Sequence, residues 1–198
     1  MTVGAQQMAM EAKFSEIGGI RTRYFEAGKG KTIVLVHGGQ YGSYYNAYSW
    51  SLNFQKLSTR YHVLAFDKLG MGYTDNPVKD EDYTIGTTLK HAHDFLAAKG
   101  VKHASLIGHS RGAFLVIRLA LEYPDLVAKL IVADSNTLAP PEDSMIPNDF
   151  YDRIELSAPT IETKMSVQRE PIANSYSKKH ITDDFAQQLL NVAKPPPK

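Results

Sequence analysis

The sequence predicts an α/β fold on a mostly parallel sheet. Three observations point to it: short, nearly continuous apolar runs of strand length, amphipathic runs at helical spacing between them, and Gly or Pro at the joints. A chain of 198 residues with 43% apolar and 22% charged residues suits one water-soluble domain.

Taken in order, Lys13 to Ile17, Gly18-Gly19 and Ile20 to Glu26 read as a hairpin closed by glycine. Thr32 to His37, His62 to Asp67 and Ala104 to His109 are apolar runs that suit strands covered on both faces. Thr84 to Lys99 places Ile85, Leu89, Ala92, Phe95 and Leu96 at helical spacing and ends at Gly100, a C-terminal stop. Arg111 to Glu122 is a second amphipathic helix, stopped before Pro124, and Val127 to Asp134 follows as another strand. Beyond Asn136, Pro140-Pro141, Pro147, Pro159 and Pro171 are expected to break the chain into small helices. The clearest of these is Thr182 to Ala193, with Thr182 as N-cap, Asp183 and Asp184 in the first turn, and Phe185, Leu189 and Leu190 on one face. Lys194 to Lys198 reads as a stiff Pro-rich tail.

Composition narrows the partners. With 22 Lys and Arg against 21 Asp and Glu, the net charge is +1, which implies no nucleic-acid stripe. No cysteine is present, so thiol nucleophiles, disulfides and thiolate metal sites are excluded. No basic leader followed by an apolar run opens the chain, and no run approaches about 18 apolar residues, so a cytoplasmic protein without membrane attachment is expected. No nucleotide loop or metal-ligand set is visible, and no cofactor is expected. His91 and His93 stand two apart on one helix and face different ways, which does not suit a metal pair.

The chemistry-bearing motif is Gly108-His109-Ser110-Arg111-Gly112, a Gly-x-Ser-x-Gly with a strand entering and an amphipathic helix leaving. Such a turn holds Ser110 in strained backbone at a helix N-terminus, where free amides favour the negative charge of a tetrahedral intermediate. Ser110 is the candidate nucleophile. The backbone amides of Arg111 and of Gly39, in the His37-Gly38-Gly39 loop after an earlier strand, are the candidate oxyanion donors.

These residues resemble the α/β-hydrolase fold family from about Lys13 onward. The segments His37 to Ser43, Ala65 to Pro77 (Ala-Phe-Asp-Lys-Leu-Gly-Met-Gly-Tyr-Thr-Asp-Asn-Pro) and Gly108 to Ser110 look most like those of the meta-cleavage-product hydrolases, which cut a carbon-carbon bond in dienoates. The resemblance implies a serine hydrolase of a small carboxylic ester or a dienoate, with a core over residues 1–135 and a helical lid and tail over 136–198. It also implies a triad acid and histidine after two further strands. Each βα unit takes about 30 residues, so on the order of 60 to 90 more would complete that sheet, and the chain is expected to be truncated after its sixth strand.

Without a neighbouring imidazole a serine hydroxyl is a poor nucleophile, and the chain offers weak substitutes. His180 follows Ser110 in the required order, but no strand holds it, and the reading as a solvated lid histidine takes precedence. Asp134 ends a strand where some members of the fold carry the acid, but its reading as a turn former before Ser135-Asn136 takes precedence. Tyr41, Tyr44, Tyr45, Tyr48 and Trp50 suit either a pocket or plain packing. Arg111, Arg153, Lys164 and Arg169 suit either a substrate carboxylate or solvent, and of these Arg111 alone is placed near the site. Two functions therefore stand: a hydrolase, or a catalytically incomplete module that binds through the uncovered edge of its last strand, as a homodimer or with a complementary chain.

Overall fold

The computed structural model describes residues 10–139 and 163–194. The strands are β1 (Lys13–Ile17), β2 (Ile20–Ala27), β3 (Thr32–Val36), β4 (His62–Phe66), β5 (Ala104–His109) and β6 (Val127–Ala133), in spatial order β1-β2-β4-β3-β5-β6. β1 to β2 and β2 to β4 are antiparallel, while β4, β3, β5 and β6 run parallel with Leu64 and Leu106 both opposite Val34. The glycine-closed hairpin and the three apolar runs thus form the strands that the sequence predicts.

Alternate residues of β3 and β4 feed two cores because side chains along a strand alternate between faces. On one face Val34, Val36, Leu64, Phe66 and Leu106 pack with Phe95 and Leu96 of α2 (Ile85–Ala98) and Leu115 and Leu119 of α3 (Arg111–Glu122). On the other, Ile33, Leu35, Val63 and Ala65 pack with Phe25 and with Phe54 of α1 (Ser51–Ser58). Sequence reading misses α1, since Phe54 is its sole buried residue and Leu52 is exposed, so no helical stripe shows. Thr84 caps α2 by accepting from the Thr87 amide at 3.1 Å.

Two further helices, α4 (Lys164–Asn174) and α5 (Asp183–Ala193), pack through Val167, Leu189 and Leu190. The expected break at Pro171 is corrected: Pro171 lies inside α4 and is buried. The lost backbone bond is offset by that burial and by a reciprocal cap between Thr163 and Ser166 at the N-terminus. Thr182 caps α5 as predicted, and Lys164 reaches both Asp183 carboxylate oxygens at 2.7 Å. Pro140, Pro141, Arg153, Pro147, Pro159 and the chain beyond Lys194 lie outside the described residues.

β6 is the edge strand, and its apolar run is uncovered. Leu130, Ile131 and Val132 are 39%, 50% and 44% exposed.

Candidate active site

β5 ends at His109, α3 begins at Arg111, and Ser110 is the whole turn between them. Its backbone stands at φ 54 and ψ −125, outside the regions an L-residue prefers, so the surrounding structure has to hold it there. Three hydrogen bonds do so. The Ser110 amide donates to the Ala133 carbonyl at 3.0 Å, and its carbonyl accepts from the Ser135 hydroxyl at 2.8 Å and the Ala113 amide at 2.9 Å. The end of β6 therefore fixes the serine.

Two glycines permit the close approach. A Cβ on Gly108 would lie 2.4 Å from the Gly112 carbonyl oxygen, and one on Gly112 would lie 2.4 Å from the carbonyl oxygens of both Val36 and His37. β3, β5 and α3 meet here at backbone contact, which brings the loop after β3 against the serine: a Cβ on Gly38 would sit 3.0 Å from that of Ser110.

The His37 ring organises that loop. Its Nε2 accepts from the Lys68 amide at 3.1 Å, so Nδ1 carries the proton and donates to the Gly38 carbonyl at 2.8 Å. Burial holds the ring well below the usual histidine range, which matches a neutral imidazole. The next carbonyl, that of Gly39, accepts from the Lys68 ammonium at 2.7 Å. Two successive loop carbonyls are thus tied down, with Gly39 at φ 77.

Beneath the loop, a network centred on Asp67 fixes the adjoining turns. Its buried carboxylate accepts from Arg23 Nε at 2.7 Å, Arg23 Nη2 at 3.2 Å, and the amides of Ala47 and Tyr73 at 2.8 Å each. Burial pushes the Asp67 carboxyl up, and the guanidinium and these donors act against that.

Between Gly39 and the first turns of α2 and α3 lies a cavity of about 410 Å³, lined among the described residues by Gly39, Tyr41, Lys68, Tyr83, Thr88 and Arg111, among others. Tyr41 reaches Thr88 Oγ1 at 2.8 Å and meets Tyr83 edge to face. Tyr48 and Trp50 pack against the second core instead, so the aromatic group divides between pocket and packing.

Arg111 follows Ser110 and shares the cavity lining with Gly39, while Gly38 is the loop residue that stands against Ser110. Asp134 follows β6 next to them at φ 44, and its charge reaches His109, whose pKa desolvation lowers and Asp134 raises. His180 does not join them: its Nε2 meets Ser175 Oγ at 3.2 Å, between α4 and α5. Among the described residues no imidazole is hydrogen-bonded to Ser110. Sequence reading missed Lys68, whose signal is a cation directly after the buried strand β4 in a glycine-rich stretch.

A family model described as "alpha/beta hydrolase fold" matches residues 31–170. The chain belongs to the α/β-hydrolase fold family. This α/β-hydrolase-fold chain is 34% identical over 130 residues to a 2-hydroxy-6-oxo-6-(2'-aminophenyl)hexa-2,4-dienoic acid hydrolase of Metapseudomonas resinovorans, covering 65% of this chain and 44% of that protein. It is 33% identical over 115 residues to human epoxide hydrolase 4, with 58% and 31% covered. Among solved structures, the meta-cleavage product hydrolase CumD of Pseudomonas fluorescens IP01 superposes with a TM-score of 0.75 at 23% identity, over 93% of this chain and 64% of that one. At that identity the likeness is one of fold. The chain spans less than half the length of the curated relatives it matches. No helix among the described residues is long and apolar enough to cross a membrane, and no group of three or more His, Asp or Glu there could hold a metal.

Proposed function

We propose that this chain carries the nucleophile half of a serine hydrolase acting on a small carboxylic ester or on the carbon-carbon bond of a dienoate-type meta-cleavage product. The strained Ser110 turn between β5 and α3 carries the reading, because three hydrogen bonds hold the serine at φ 54 at the N-terminus of α3 with the Gly38 loop against it. In this mechanism Ser110 Oγ attacks the substrate carbonyl carbon while a histidine takes its proton, and the amides of Gly39 and Arg111 hold the oxyanion. Collapse breaks the ester or carbon-carbon bond, the leaving group takes that proton, and water releases the acyl group from Ser110. The relative named as a dienoic acid hydrolase supports this choice of substrate.

The histidine has to come from outside the described residues, and the uncovered edge of β6 is where a complementary strand would enter. The test is labelling by a fluorophosphonate, with the chain alone and mixed with the segment that follows the matched region in a longer relative. Labelling of the mixture that disappears in Ser110→Ala is expected, and a mixture that folds onto the chain yet stays unlabelled overturns the reading. The second reading, a catalytically incomplete module that binds a copy of itself or another chain, is favoured by the same open edge and by the absence, among the described residues, of an imidazole hydrogen-bonded to Ser110.

A further inference from the structure

The cavity between the Gly39 loop and the first turns of α2 and α3 contains a cation that the proposed chemistry leaves unused. Lys68 is 5% exposed, and the bond from its ammonium to the Gly39 carbonyl satisfies one of three donors. Among the described residues no carboxylate pairs with it, and no Asp or Glu lines the cavity. Arg111 lines the same cavity from α3 and adds a second positive charge without an ion-pair partner among the described residues. A buried ammonium facing a like charge is costly, and an anion seated between them would relieve both desolvation and repulsion.

We infer that Lys68 and the Arg111 side chain form an anion subsite in this cavity, which takes the carboxylate of a small organic acid. The inference rests on the hydrolase reading for the identity of the cavity, and it deepens that reading by requiring a substrate that is itself an anion. The carboxylate accepts from the free Lys68 N–H groups and from the Arg111 guanidinium, while the Tyr41 and Tyr83 rings flank an unsaturated chain.

Protonation follows from the surroundings. Burial first, and the charge of Arg111 second, pull Lys68 down to about 7. Among the described residues the other titratable groups around it are the buried His37, which stays neutral, the Tyr41 hydroxyl, which burial raises, and Tyr83 across the cavity. Near neutral pH the empty site is thus part protonated, and binding of an anion draws a proton onto Lys68.

The probe is sorbate, a hexa-2,4-dienoate with nothing to cleave, compared with its neutral amide by titration calorimetry. Sorbate should bind at least about tenfold more tightly than the amide, and its affinity should fall about tenfold between about pH 6.5 and pH 8.5. Calorimetry at about pH 8 in buffers of different ionisation enthalpy should show uptake of close to one proton per sorbate on the wild-type chain. Lys68→Met should lose sorbate binding and Lys68→Arg keep it. Equal binding of acid and amide, no binding of either, no proton uptake, or unchanged binding by a folded Lys68→Met overturns the subsite. A lysine that merely latches the Gly39 loop gives none of the charge selectivity. Since binding needs no turnover, a failure here leaves the labelling test of Ser110 standing, and a failure of labelling leaves this result standing.

Discussion

Ser110 and its neighbours are set by contacts that admit almost no alternative side chain. At Gly112 even a methyl group would meet two carbonyl oxygens of β3 and its loop at 2.4 Å, and backbone on both sides cannot yield. Gly112→Ala should therefore cost about 3 kcal/mol or more, read as a lower denaturation midpoint with unchanged slope in urea. Any soluble fraction should show a displaced Ser110 turn. The motif made these two glycines and the serine legible, because the turn demands those residue types wherever it occurs. Lys68 was not legible, since only the folded cavity reveals that its ammonium is buried without a carboxylate.

At the level of elements, β2 meets α2 through a buried polar contact, Thr22 Oγ1 to His91 Nε2 at 2.9 Å. Burial pulls His91 down to about 4. Its folded pKa is thus below the unfolded value, the unfolded chain binds the extra proton between the two, and stability is present above about pH 6.5 and lost as pH falls toward 4. The loss should reach about 3 kcal/mol, and His91→Leu should flatten that limb in urea titrations at stepped pH. Helix α2 itself was readable from its apolar period and its Gly100 stop, because its buried face is continuous. α1 was not, because one buried phenylalanine makes no period, and α4 was hidden by a proline that packing tolerates.

Across the whole molecule, the sheet presents an open apolar edge. β6 pairs β5 on one side, and Leu130, Ile131 and Val132 stay between 39% and 50% exposed, a template for pairing with another strand. Ile131→Lys places a charge on that strand. It should shift sedimentation of the chain toward monomer while leaving the near-ultraviolet signal of the core unchanged, whereas equal association of both forms places the contact elsewhere.

By itself the sequence determined the α/β class, the strands β1 to β6 at nearly their observed bounds, the helices α2, α3 and α5, and the serine turn. Each of these follows from local rules: strand and helix periods, caps, and a turn that tolerates only glycine at two positions. Tertiary structure alone decided that α1 forms on one buried ring, that Pro171 is accommodated, that His180 is engaged away from Ser110, and that Lys68 lies in a cavity with Arg111. The reason is common to all four. Burial and the pairing of charges are set by residues distant in the chain, and no local pattern records which of them the fold brings together.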